Sequence, residues 1–482
     1  MPQRGDILEL TIESSAFEGT SIAHSDGMVV FVEGGVAGDV VRAAVFKVKK
    51  KHIEAKAVEV LKPSPQRTTP RCKYFGTCGG CKWQHVQYEA QLAFKHQHVV
   101  DALERIGGFK GVSVLPIAGS DDLYFYRNKL EFSFGDEAWT AIPPKKPPEI
   151  ETESATSDFM SAEAKTFLGF HVPQRYDKVL DIDECQLQSN LSNDILRYVK
   201  KFSLESSLPA YSSKTHSGYW RNLVIREGKN TGDVMVNIVT FEDRPEVMKE
   251  LTKQLTTEFP EITTVVNNIN TRKAQIAVGE TEKVYYGSGI ITDKIGSHVF
   301  DISTNSFFQT NTRGAEKLYS IAKEYAELKP SDIVYDLYCG TGTISIFISD
   351  AVKKVVGIDI IENSIQNARH NAEHNAVQNC EFIAGDLKDL LTKDTAWMKN
   401  NFPPDVLIID PPRSGMHPKA VEEIGRMKVK RIVYVSCNPA TLARDVKMLA
   451  PFGYLIEKVQ PVDMFPHTFH IESVAKLSNP IV

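Results

Sequence analysis

The 482-residue chain contains no run of 18 apolar residues, and its first stretch, MPQRGDILEL, has no apolar core. A membrane-spanning helix needs about 20 apolar residues, and a secretory leader needs a shorter apolar stretch. Neither a membrane span nor secretion is therefore expected, and the chain reads as cytoplasmic. Cysteine is scarce: seven residues in so long a chain do not make a disulfide framework, and clustered ones point to metal binding or catalysis. Positive charge is not in excess. The net charge of −5 argues against a general polyanion binder. Internal repeats are also missing. What remains, 42% hydrophobic and 24% charged residues, is ordinary globular composition with length for several domains.

The charge is unevenly spread. Between Val40 and Lys82 stand eleven Lys or Arg and two acids, Glu54 and Glu59, a local basic patch suited to a phosphate backbone. Residues 1–62 hold short alternating segments punctuated by glycine, which predicts a small five-stranded barrel. KPSPQRTTPRC is a Pro-rich linker, followed by CKYFGTCGGCKWQH and a helix from about Tyr88 to Ile106. From Gly111 to Phe300 the pattern is mainly strands, among them YRNKLEFSFG, YWRNLVIREG and DVMVNIVTF. Residues 141–164 are Pro-rich, charged and poor in apolar residues, which predicts an exposed, mobile insertion.

From Asp332 onward strands and helices alternate: IVYDLYC, KVVGIDI, CEFIAGD, DVLIID and RIVYVSC are the strands of a doubly wound parallel sheet. Two more strands are expected within YLIEKVQPVDMFPHTFHIESVAKL. After Gly340 and Gly342 no third glycine follows, so DLYCGTGTIS is not the G-x-G-x-x-G of a dehydrogenase. Asp359 ends the second strand, where ribose hydroxyls are held; Asp386 ends the third, and Asp410 ends the fourth in IIDPPRSG. The aromatic residue that follows D-P-P in amino-group methyltransferases is absent, and Arg413 stands there instead.

RIVYVSCNPATLARD places Cys437 at the end of the fifth strand. Asn438 is a suitable N-cap, Pro439 fits the first helical position, and Leu442, Val446 and Leu449 give the helix a core stripe. The positive end of that helix is expected to favour thiolate over thiol.

FEGTSIAHSDGMVVFVEGGVAGDVV, with the basic strand after it, resembles a TRAM domain, an OB-like RNA-binding barrel. YRNKLEF, SFFQTN, DLYCGTGT, DPPRSG, SCNPATLARD and MFPHTFHIE together resemble the RNA 5-methyluridine (uracil-C5) methyltransferase family. The resemblance implies an N-terminal TRAM barrel over residues 1–62, a mixed α+β central domain over 63–300, and an α/β Rossmann-like methyltransferase domain over 301–482. It implies S-adenosyl-L-methionine as methyl donor, contacted by Gln309, Tyr338, Asp359 and Asp410, with Asp386 placed to meet its adenine. It further implies Cys437 as nucleophile on carbon 6 of uracil and Glu472 as acceptor of the carbon 5 proton. Cytosine-5 enzymes carry a second cysteine in the fourth-strand motif, which DPPR lacks.

Cys72, Cys78 and Cys81 form C-x5-C-x2-C and need a fourth ligand. Cys339 and Cys380 belong to the methyltransferase sheet, which favours Cys185, and four thiolates hold either zinc or an iron–sulfur cluster. The spacing resembles the [4Fe-4S] site of the ribosomal-RNA members of the family. That favours 23S rRNA as substrate over tRNA. A monomeric enzyme is expected. The reading from another class is an RNA-binding or ribosome-assembly protein with a vestigial methyltransferase domain, against which the intact Cys437 and Glu472 stand.

Overall fold

The computed structural model describes residues 2–139, 166–173, 175–274, 276–391 and 403–480; the insertion expected at 141–164 lies outside the described residues. The N-terminal sheet has six strands rather than five. The extra one is the two-residue Ser14–Ser15, which pairs with Ser21–Ser25 at the sheet edge and is too short to leave an alternation signal. Alternate residues Leu10, Ile12, Ala23, Val30, Val32, Val41, Ala43, Val45, Ile53 and Ala55 fill its interior. Asp39, fully buried, accepts the N–H groups of Val36 and Ser64 and the guanidinium of Arg67, which joins the barrel to the linker. Arg67 is thereby removed from the expected basic face, whereas Lys50, Lys51, Lys56 and Lys62 stand exposed on it.

The middle region forms a seven-stranded sheet, in the order Arg175–Asp181, Phe167–Val172, Lys129–Gly135, Trp220–Glu227, Val234–Thr240, Thr264–Ile269 and Thr281–Tyr286. The helices Asn190–Glu205 and Pro245–Glu258 cover one face, with Ile195, Leu196, Val199, Met248, Leu251 and Leu255 against Phe132, Leu223, Ile225 and Ile238. A hairpin, Ile290–Ile295 with His298–Ser303, leads on to the helix Thr312–Ala326.

The C-terminal sheet runs Cys380–Ala384, Lys354–Asp359, Ile333–Leu337, Val406–Ile409, Arg431–Ser436, Glu472–Ser478, Leu455–Val462, and finally Ser113–Val114 from the middle region. The first five strands are parallel, as the βα alternation predicts. The order reverses between Ile333–Leu337 and Val406–Ile409, which opens a crevice at the carboxyl ends of the strands. Side chains alternate between two cores: Val334, Ile408, Val433 and Val474 on one face, Tyr335, Leu407, Ile409 and Ile432 on the other. The helix Tyr88–Ala102 and the strand Ser113–Val114 precede residue 300 yet pack on this unit. Among the described residues no helix is long and apolar enough to cross a membrane.

Candidate active site

The strand ends converge on a cleft of about 670 Å³ lined by Gln309, Tyr338, Asp359, Asp410, Arg413, Cys437, His470 and Glu472, among others. Each side chain is delivered by backbone geometry that the sequence sets. Tyr338 leaves its strand with φ +65°, a left-handed conformation that a bulky residue adopts at a cost of about 1–3 kcal/mol, and its N–H donates to Ile358 O. Gly342 sits at φ +78°, and a Cβ there would lie 2.9 Å from both Ala368 and the Phe382 ring. Only glycine lets the helix Thr343–Ile348 start this close to the sheet. Asp359 accepts the N–H of Gly340 at 3.0 Å and of Ile361 at 2.9 Å, which pins the turns around it. Phe307, Ile360 and Ile361 are exposed apolar residues of the same cleft, a surface on which a flat base can lie.

Asp386 is not among the lining residues. It was expected to end the third strand but lies two residues past it, and its carboxylate caps the short helix Leu387–Leu390 through Lys388 N and pairs with Lys388 Nζ.

Cys437 and Glu472 meet because of sheet register. Arg431–Ser436 and Glu472–Ser478 pair antiparallel through Ser436 and Ser473, so the next step of the ladder sets Cys437 opposite Glu472. Asn438 accepts the Ala440 N–H at 3.1 Å and donates to Arg413 O at 3.1 Å, while Leu442, Val446 and Leu449 are buried as the stripe predicts. Glu472 is 6% exposed. Burial, followed by the charge of Asp410, lifts its carboxyl well above the usual range, against the pull of Lys95.

Asp410 is raised to about 7, by burial first and then by Asp336. Asp336 is raised to about 7 by burial as well; one oxygen accepts from Ser345 Oγ at 2.6 Å and the other has no partner. The expectation that a helix end makes Cys437 a resting thiolate is corrected here. Burial, then Glu472 and Asp410, push its thiol up to about 12, and Arg413 opposes them only in part. Asp359, Asp410, Glu472 and the Cys437 thiol face one cleft with Arg127 and Arg413, and the acids offer a cationic ligand partners there.

Some members of the site had weak sequence signals. Arg127 lies in YRNKLEF and Thr310 in SFFQTN, and both line the cleft and the neighbouring cavity. That second cavity, about 590 Å³, is lined by Cys72, Cys78, Cys81 and Cys185, so the fold brings Cys185 to the other three and leaves Cys339 and Cys380 in the sheet. All four are free cysteines, and burial first raises each thiol. Gln84 donates to Cys81 Sγ at 3.3 Å. Among the described residues, no three of these sulfurs lie within 4.8 Å of one another.

The family model described as tRNA (Uracil-5-)-methyltransferase matches residues 231–479, and the TRAM domain model matches residues 3–58. An uncharacterized RNA methyltransferase of Chlorobaculum tepidum is 44% identical over 98% of this chain and 96% of its own length. Another, of Porphyromonas gingivalis, is 41% identical over 97% of this chain and 99% of its own. The crystal structure of Pyrococcus abyssi tRNA (uracil-54, C5)-methyltransferase in complex with S-adenosyl-L-homocysteine superposes with a TM-score of 0.73 at 30% identity, covering 97% of this chain and 99% of that one. The chain belongs to this uracil-5 methyltransferase family: it is a TRAM-bearing, S-adenosylmethionine-dependent RNA (uracil-C5) methyltransferase.

Proposed function

We propose that the enzyme methylates carbon 5 of a uridine in 23S rRNA through a covalent Cys437–uracil adduct. The observation that supports the mechanism is that Cys437 and Glu472, just past the last residue pair of neighbouring strands, line one cleft with Gln309, Tyr338, Asp359 and Asp410. These four residues hold S-adenosylmethionine; Asp386, also expected to do so, is left out of this set because its carboxylate is engaged by Lys388. When bound, the cofactor supplies an electrophilic methyl group on a cationic sulfur, and that charge opposes the acids that hold Cys437 as a thiol. The side chains do the rest. Cys437 releases its thiol proton to solvent, and its sulfur adds to carbon 6 and loads electron density onto carbon 5, which takes the methyl group. Glu472 then accepts the carbon 5 proton, and the electron pair left behind breaks the sulfur–carbon 6 bond. The uracil has to leave its stack to reach a cleft at this depth.

Cys72, Cys78, Cys81 and Cys185 hold a [4Fe-4S] cluster in this reading. The division into units at 1–62, 63–300 and 301–482, the monomeric state and the cytoplasmic location belong to the same proposal.

The test is a pair of substitutions. Cys437→Ala abolishes transfer of labelled methyl to RNA; retained transfer sinks the mechanism and leaves only an RNA methyltransferase of another kind. Glu472→Gln accumulates an enzyme–RNA adduct that survives a denaturing gel, and no such band removes Glu472 from the role. Protein purified without oxygen carries iron and sulfide in equal amounts, whereas stoichiometric zinc rules out the cluster. A second substrate, tRNA, is favoured by the name of the Pyrococcus abyssi neighbour. Mapping 5-methyluridine in rRNA and tRNA of a deletion strain decides between them.

A further inference from the structure

Away from the cleft, the helix Glu362–His374 lies along the strand His298–Ser303 of the hairpin. Four residues make the seam. Asn371 Oδ1 accepts the Asp301 N–H at 2.8 Å, and Asn375 Oδ1 accepts the Val299 N–H at 2.9 Å, so strand and helix are locked by backbone contacts. One residue before each of these, His370 and His374 are one turn apart and reach the same carboxylate oxygen. His370 Nε2 lies 2.7 Å, and His374 Nδ1 2.9 Å, from Asp301 Oδ2. The three donor atoms lie within 4.8 Å of one another. The Asp301 side chain is 17% exposed, whereas those of His370 and His374 are 58% and 39% exposed.

We propose that Asp301, His370 and His374 form a site for an exchangeable divalent transition cation of the zinc class, which staples the hairpin to the helix. Two imidazoles at i and i+4 with one carboxylate are a donor set that suits zinc, copper, nickel or iron, whereas magnesium and calcium take oxygen ligands. Three protein ligands leave a coordination position open to water, which makes the cation exchangeable. Zinc bonds of about 2.0–2.2 Å in a tetrahedron hold neighbouring donors about 3.3 Å apart, so the imidazoles have to withdraw from Asp301 by about half an ångström. Their exposure leaves room for it. Asp301 is the fixed member, because Asn371 holds its backbone. Each ring then turns a lone pair, rather than an N–H, toward the cation, with the proton moved to its other nitrogen.

The position has a structural consequence. His298–Ser303 runs through three residues into Phe307, Phe308, Gln309 and Thr310, and the helix follows Asp359–Ile361 and carries Ser364. A cation at the seam joins two walls of the cleft without lining it. The test is equilibrium dialysis of the full-length, cluster-loaded protein against Zn²⁺ with Mg²⁺ in large excess. Wild type, His370→Ala/His374→Ala and Asp301→Asn are compared, and metal is counted per chain. Wild type should retain one zinc ion more than either variant, and the variants should need at least about tenfold more Zn²⁺ for the same occupancy. The cysteines are common to all three proteins and drop out of the difference. Near-equal S-adenosylhomocysteine affinity in the three proteins establishes that the variants are folded. Equal zinc in all three proteins, or loss of the extra ion to Mg²⁺, overturns the site.

Discussion

Cys437 is held as a thiol by burial first and then by the charges of Glu472 and Asp410. Its reactivity without cofactor should therefore be suppressed. Peptide-level mass spectrometry of iodoacetamide-treated, cofactor-free enzyme should show Cys437 alkylation still rising at pH 10, because the thiol is pushed up to about 12. A plateau at or below about pH 8.5, the ordinary cysteine range, contradicts that. Asp410 gives a stability prediction with a definite sign. The native state keeps its proton up to about pH 7, whereas an unfolded chain releases it near 3.8. The folded form binds more protons across that window, so the contribution of Asp410 to stability is lost as pH rises through it. Asp410→Asn is a neutral isostere of the protonated acid. In urea titrations of cofactor-free protein, the variant should match wild type near pH 4 and exceed it by an amount on the order of 4 kcal/mol at pH 8. A constant difference across pH would mean that Asp410 is not buried as a neutral acid.

The helix Tyr88–Ala102 bears on catalysis although it lies more than 300 residues from Cys437 in sequence. Its Lys95 donates to Asp463 Oδ1 at 2.6 Å and to Phe465 O at 3.1 Å, Tyr88 OH donates to Asp463 Oδ2 at 2.9 Å, and Gln91 Oε1 accepts the His467 N–H. These bonds fix the loop that delivers His470 and Glu472. Lys95 and Asp463 are both fully buried, so removing one partner leaves an uncompensated charge. Lys95→Met should cost about 3–5 kcal/mol in denaturant unfolding, and Lys95→Met/Asp463→Asn should recover most of it; equal losses in the single and double variants would refute the pairing. A sequence hides such a pair: Lys95 in a helix reads as a solvated lysine, and nothing local points to an acid so far along the chain. Cys185, by contrast, was reached from the sequence by setting aside Cys339 and Cys380, and it does line the cysteine cavity. Ser113–Val114 was hidden as well, a strand too short to show alternation. By contrast the five parallel strands, the Asn438–Pro439 cap and the Gly340–Gly342 turn were legible, because each is written in neighbouring residues. Asp386 was legible as a residue just past a strand but not in its contacts, since the competing Lys388 sits two residues on.

At the scale of the whole molecule the chain has to hold an RNA while presenting one base to a cleft set among acids. The net charge of −5 does not favour this, so the attraction has to be local. Arg42, Lys47 and Lys49 of the barrel are engaged with Glu59 or Glu54, and Arg67 with Asp39. Lys56 and Lys62 on the strand His52–Lys62, with Lys50 and Lys51 in the turn before it, are exposed cations that remain. Each lysine that neutralises a phosphate of single-stranded RNA releases counterions and adds about 0.7 to the slope of log affinity against log salt. Replacing all four by glutamine should reduce that slope by about 3 for a fluorescent RNA substrate, and weaken binding most at low salt. S-adenosylhomocysteine affinity should stay unchanged, since none of the four lines the cleft. If the slope is unmoved, the TRAM barrel does not grip the backbone through this face. The phosphate contacts would then have to come from cations outside this face.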